Sequence, residues 1–271
     1  MDTLRRALQG DSSVTLDAAA LELARIECPS LDPGASLAAL DQIAAELGAR
    51  LTPECGGAGF VQIANDYLFG ELAFRGNQAE YDDPRNSCLN QVLERRIGLP
   101  ITLSVVYIEV ARRLERPVSG VGLPGHFVVR YDDGAFSTYI DPFHGGKLLS
   151  EQDCAALARE ITGTDLSADP SALEPVGVRY ILVRMLNNLR AAYFKAREFA
   201  KAVVVLDVLL EHFPSNPEYY KARGVARLKL RKLSGARDDF RKYLTYAPEA
   251  RDRAEVTRQI QAIHQSLGRL N

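Results

Sequence analysis

No apolar run in this 271-residue chain approaches the roughly 20 residues that a membrane-spanning helix needs. The first residues, Met-Asp-Thr-Leu-Arg-Arg-Ala, lack the long apolar core of a secretory signal, so a cytoplasmic protein is expected. The four cysteines, Cys28, Cys55, Cys88 and Cys154, lie far apart and form no Cys-x-x-Cys pair. That argues against a zinc pattern and a disulfide framework and leaves separate reduced thiols. Gly56-Gly57-Ala58-Gly59 is not followed by the Lys and Ser/Thr of a phosphate-binding loop. No recognition motif accompanies the basic residues, so nucleic acid is not an expected partner. No cofactor is expected either.

Apolar residues make up 46% of the chain and charged ones 25%, ordinary for a soluble globular protein and enough for two modest domains. The net charge of −2 hides a split. Residues 1–175 hold 14 basic and 26 acidic side chains, net −12, and residues 176–271 hold 19 basic and 9 acidic, net +10. Two units with different surfaces follow. Intramolecular docking of the acidic N-terminal half and the basic C-terminal half is expected, weakening with salt.

Three- and four-residue apolar spacing predicts helices over 14–27, 35–49 and 60–74. Another starts at Asn86 or Ser87 and runs to about Ile97, where Gly98-Leu99-Pro100 ends it. Pro100 suits the first turn of a heavily apolar helix over 101–115, which must be buried. After Pro117 come strand-like segments at 118–122, 126–131 and 137–141, the last two joined by the hairpin signal Asp132-Asp133-Gly134. A helix is expected near 150–161 and a linker at 163–175.

Residues 183–216 and 217–250 align at a period of 34, with Ala202 and Ala236 in one slot and Pro214 and Pro248 in another. Leu189, Tyr193, Tyr220, Gly224 and Phe240 fill further slots. This pattern resembles tetratricopeptide repeats, paired helices with small residues at close contacts, and 251–267 would cap them. A plain helical bundle is the alternative. Lys221, Arg223, Arg227, Lys229, Arg231 and Lys232 form a basic stretch. Lys221, Arg223 and Lys229 are the candidates for binding an acidic protein or peptide partner; a solvated helix face is the other reading.

Pro124-Gly125-His126-Phe127 opens one strand and Ile140-Asp141-Pro142-Phe143 closes the next. An imidazole beside a carboxylate is the orienting half of a nucleophilic triad. It is equally a structural strut, with nearby glycines allowing a tight turn. A metal reading takes His126, Asp141 and His144, all good ligand types, though no metal is assigned from their spacing.

The order buried helix, strand, His strand, Asp strand resembles the core of transglutaminase-like cysteine enzymes, in the papain-like cysteine protease superfamily. More narrowly, the chain is similar to the bacterial SirB-type family, which joins such a domain to tetratricopeptide-like helices. The residues that carry this are Asn86-Ser87, Leu89-Asn90, Val92-Leu93, Arg95-Arg96, Gly98, Pro100-Ile101, Leu103-Ser104, the His126 and Asp141 motifs, and Gly145-Gly146. The resemblance runs from about residue 14 to the C-terminus. It implies an α+β fold: helices and a transglutaminase-like domain over 1–162, a linker and connecting helix over 163–182, and repeats with a cap over 183–271. It also implies a cysteine at the start of the buried helix, with His126 as its base and Asp141 orienting the imidazole. Here that position falls near Pro100 and holds no thiol.

The candidate nucleophiles are therefore Thr102 and Ser104, both poor ones at neutral pH, and Cys88, one helix earlier and also readable as a core thiol. Asn86, Asn90, Arg95 and Arg96 either line the same cleft as His126 or cap helices and form surface ion pairs, the second reading being favoured for the two arginines. The expected function is a pseudoenzyme scaffold that keeps the His126–Asp141 pair as a binding cleft and holds a partner on its repeats. The alternative is a working acyl transferase or amide hydrolase using that pair. A metal-dependent hydrolase is a third reading.

Overall fold

The computed structural model describes residues 1–166 and 170–268. Parts of the expected linker (167–169) and of the chain end (269–271) lie outside the described residues. The structure divides into two compact units, Met1–Met185 and Leu186–Asn271.

The first unit is built around a five-stranded antiparallel sheet. Its strands are β3 (Val118–Val121), β4 (Val128–Asp132), β5 (Ser137–Asp141), β6 (Lys147–Leu149) and β7 (Pro175–Val176), in the order β6-β5-β4-β3-β7. Two further short strands, β1 (Arg75–Gly76) and β2 (Ile97–Gly98), pair in parallel with each other. The β4–β5 hairpin forms where expected. Asp133 Oδ1 accepts the Ala135 and Phe136 N–H groups, and Gly134 takes φ +82°, a left-handed conformation that glycine adopts without steric cost.

Both faces of the sheet are covered, so apolar residues occupy successive positions rather than alternate ones. Val121, Val128, Tyr139 and Leu149 pack with Cys154 and Ala158 of α7 (Glu151–Thr162). On the other face, Val129, Tyr131 and Ile140 are buried, and α6 (Pro100–Arg113) packs on β3 and β4. Pro100 at N1 and the apolar run behind it start and bury α6, as the sequence predicts. Each fully buried Val or Leu contributes about 1.5–3 kcal/mol. Against α6 lie α2 (Leu16–Ala24), α3 (Pro33–Gly48) and α5 (Leu89–Arg95), while α1 (Asp2–Leu8) pairs with α2 and α4 (Gly57–Asn65) reaches β4.

Three elements differ from expectation. The helix predicted over 60–74 is α4 followed by a π-helical turn, Asp66–Glu71, closed by a bond from Leu72 N–H to the Tyr67 carbonyl. The helix predicted over 86–97 is split. Asp83 caps a 3-10 turn, Pro84–Ser87; α5 then ends on Arg96 in the left-handed region, and Ile97–Gly98 becomes β2. The segment 163–175, expected as a linker, ends in β7, which pairs with β3 and belongs to the sheet. The division between the two units falls inside α8 (Val178–Lys195).

The second unit continues with α9 (Phe199–His212), α10 (Pro217–Lys229), α11 (Leu233–Tyr246) and α12 (Arg253–Gly268). These fall on the 34-residue period, with α12 as the cap. Gly224 lets α10 approach α11: a Cβ there would stand 2.8 Å from the Phe240 ring. Ala236, Phe240, Tyr243, Val256 and Ile263 form the core beneath the cap. Arg223 and Arg227 both bond Asp239, and Arg223 also reaches Asp207.

Candidate functional site

Asp141 ends β5 and caps the 3-10 turn Pro142–His144. The residues dictate this: an Asp before Pro is an N-cap followed by a residue with no N–H to satisfy. Its Oδ1 accepts the Phe143 and His144 N–H groups at 3.0 and 3.3 Å. Its Oδ2 faces two imidazoles, His126 Nε2 at 2.9 Å and His144 Nδ1 at 2.7 Å. A carboxylate only accepts, so both ring nitrogens donate N–H. Burial pushes the Asp141 carboxyl up, but the bonds and charges of His126 and then His144 outweigh it and hold the group below the usual carboxylate range.

His126 is 4% exposed and Asp141 1%. His126 follows a tight turn in which Gly125 takes φ +71° and His126 N–H bonds the Leu123 carbonyl. Arg184 donates to the His126 carbonyl at 2.6 Å and lies over the Phe127 ring. Phe143 stands edge-on to both imidazoles, with centroids 5.9 Å from His126 and 5.2 Å from His144. A Cβ on Gly76 would fall 2.4 Å from that ring, so β1 can pass behind the site only with glycine there. His126 Nδ1 has no hydrogen-bond partner among the described residues. A cavity of about 700 Å³ opens over the pair, lined by Gln78, Tyr81, His126, Asp141, His144, Lys147, Asp153, Glu160 and Ile161 among others.

The candidate nucleophiles lie elsewhere. Thr102 Oγ1 accepts the Leu99 N–H at 2.9 Å and donates to the Asn86 carbonyl at 2.6 Å. Ser104 Oγ donates to the Pro100 carbonyl at 2.8 Å. Cys88 is buried at the N-cap of α5, its Sγ 3.6 Å from the Pro84 carbonyl. Among the described residues, none of the three lines the His126 cavity. Nor do Asn86 and Asn90. Asn86 ties Asn77 to the Glu80 carbonyl, and Asn90 Nδ2 faces Cys28 Sγ at 3.9 Å. In the repeats, Lys221 pairs with Asp252, Arg223 is held by Asp239 and Asp207, and Lys229 is exposed.

Sequence reasoning named His144 only as a possible metal ligand and missed it as the second partner of Asp141. The Asp-Pro cap was the available signal, since a cap folds the third residue of its turn back over the carboxylate. Gln78, Tyr81, Asp153 and Glu160 carried no signal, because the packing of α7 and the 78–81 loop brings them to the cavity, and Lys147 reaches it through the pairing of β6 with β5 opposite Asp141.

A helix buried against an antiparallel sheet, a His–Asp pair at the start of one strand and the end of its neighbour, and paired helices later in the chain define an α+β transglutaminase-like protein with tetratricopeptide-like repeats. Comparison with known proteins agrees. Residues 35–187 match the Transglutaminase-like superfamily and residues 189–261 the Tetratricopeptide repeat. A UPF0162 protein of Xylella fastidiosa is 39% identical over 88% of this chain and 86% of its own. A UPF0162 protein of Pseudomonas aeruginosa is 30% identical over 76% and 74%. F-box only protein 21 of Mus musculus is 36% identical over 46% of this chain and 20% of its own. The chain belongs to the transglutaminase-like superfamily, within its bacterial UPF0162 (SirB-type) proteins.

Proposed function

We propose that this chain is a transglutaminase-like pseudoenzyme without the nucleophilic thiol, which uses its His126 cleft and its repeats to hold a protein or peptide partner. The observation that carries this reading lies at the start of α6. Both candidate hydroxyls donate to backbone carbonyls, Thr102 at 2.6 Å and Ser104 at 2.8 Å, and no thiol lines the His126 cavity among the described residues. A hydroxyl attacks only with a base beside it, and these two have carbonyls instead. The repeats support the partner-binding half, since repeats of this type bind proteins or peptides. The exposed Lys229, with Lys221 shared with Asp252, supplies cations for an acidic segment. Attraction between the acidic and basic halves of the sequence, weakened by salt, is part of the same reading. So is a cytoplasmic setting, which four cysteines outside any disulfide suit.

The second reading is acyl transfer through Cys88, favoured by its place at a helix N-cap. Iodoacetamide labelling of the full chain from pH 5 to 9, wild type against His126→Ala, separates the two. Under the scaffold reading the half-buried Cys28 and Cys55 react at rates that rise toward alkaline pH and ignore His126. Cys88 and Cys154 then react only in denaturant; burial pushes the Cys154 thiol up to about 12. A thiol that reacts fast near pH 6 and slows in His126→Ala would overturn the proposal and restore the enzyme.

A further inference from the structure

We propose that His126, Asp141 and His144 bind a divalent first-row transition-metal ion, at a site open to the cavity above them. The inference goes beyond partner binding and stands or falls separately from it. The three residues offer two imidazole nitrogens and one carboxylate oxygen, all within 4.8 Å of one another. This donor set suits iron, cobalt, nickel or zinc.

The spacing favours one arrangement. At metal–ligand distances of about 2.1 Å, ligands at right angles lie about 3.0 Å apart, and tetrahedral ones about 3.4 Å. The observed separations of Asp141 Oδ2 from His126 Nε2 and from His144 Nδ1 are 2.9 and 2.7 Å. Two edges of the triangle therefore match a facial set of two histidines and one carboxylate, which leaves the remaining positions open. The third edge, between the imidazoles, closes by movement of His144, whose side chain is 41% exposed.

The surroundings fit an ion. Two backbone N–H groups fix Asp141 Oδ1 and aim Oδ2 outward, as outer partners do for a metal-bound carboxylate. Phe143 holds both rings edge-on. An ion would replace the two N–H···O bonds. Each neutral ring would then carry its proton on the other nitrogen, which in His126 is Nδ1, without a hydrogen-bond partner among the described residues. Asp153 and Glu160 outnumber Lys147 on the cavity wall, so its charge favours a cation. The open positions would take water or an oxygen-bearing ligand from the cavity.

The test is titration of the full, untagged chain with Co²⁺ alone, followed by equilibrium dialysis, visible absorption and imidazole proton NMR. One Co²⁺ per chain is expected, with paramagnetic shifting of the His126 and His144 ring signals. His144→Ala, which removes a half-exposed side chain, should weaken binding by at least about 10-fold. His264→Gln, on the exposed face of α12, should leave it unchanged. No stoichiometric uptake by the wild type, unshifted His126 and His144 signals, or uptake that survives His144→Ala would each overturn the proposal.

Discussion

At the scale of single residues, the site depends on two adjacent glycines that do different work. Gly145 and Gly146 both take positive φ, 71° and 77°. A Cβ at Gly145 would meet nothing within 4 Å, whereas at Gly146 it would stand 2.5 Å from the Phe69 ring and 2.7 Å from Asn65. Asn65 Nδ2 also donates to the Gly146 carbonyl at 2.7 Å, which anchors the loop that follows Asp141. Gly145→Ala should therefore cost about 1 kcal/mol, the left-handed backbone alone. Gly146→Ala adds overpacking and should cost about 2–4 kcal/mol. Urea unfolding of the two variants checks the contrast, and equal costs would refute it. The sequence displayed the glycine pair, the histidine and the aspartate. It could not display the difference between the glycines, which lies in Phe69, 77 residues away in the chain. Nor could it show that the Thr102 and Ser104 hydroxyls bond carbonyls, because that depends on where Asn86 and Pro100 end up.

At the scale of elements, α6 was legible because an apolar run behind a proline has few alternatives. Its far end carries a buried charge cluster that no periodicity announces. Arg113 bonds Asp17 of α2 at 2.7 Å and Glu109 at 2.9 Å, and both carboxylates are almost fully buried. Burial pushes the Asp17 carboxyl up, but bonds from Thr15, Arg113 and Glu109 bring it below its usual value. Burial pushes the Glu109 carboxyl above its usual value, although Arg112 and Arg113 both donate to its Oε2. Removing Arg113 leaves the pair only the half-exposed Arg112, 2.8 Å from Glu109 and 3.5 Å from Asp17, so Arg113→Met should cost up to about 3–5 kcal/mol. Asp17, depressed in the folded state, adds stability above its unfolded value of about 3.9. That stability is lost as the pH falls through its lower folded value. Glu109 has the opposite sign: its raised value adds stability at low pH that fades as the pH rises. The penalty of Glu109→Gln should thus shrink as the pH rises, while that of Asp17→Asn should shrink as the pH falls below about 4. Chemical denaturation of the three variants from pH 3 to 8 reads these signs directly.

At the scale of the whole molecule, the 34-residue period made the repeats legible, whereas the boundary before them was not. Residues 163–175 look like a linker because Gly, Ser, Asp and Pro dominate them, yet Pro175–Val176 completes the sheet. The helix that follows serves the first unit as well as the second. Ile181, Leu182 and Met185 are buried, and a Cβ on Gly120 would stand 3.3 Å from Ile181. A Cβ on Gly122 would stand closer still to α8, 2.7 Å from the Tyr180 ring. Arg184 bonds the carbonyl of His126 itself. A composition-based cut near 162 would therefore remove a strand and the helix turns that hold the His126 turn in place. Burying three such side chains is worth about 1.5–3 kcal/mol each, a large share of the stability of a domain this size. A fragment of residues 1–195 should unfold cooperatively in urea, with His126 and His144 ring signals like those of the full chain. A fragment of residues 1–162 should be unfolded or molten, with dye binding to the exposed sheet face. Equal midpoints for the two would mean that the sheet is complete without β7 and α8.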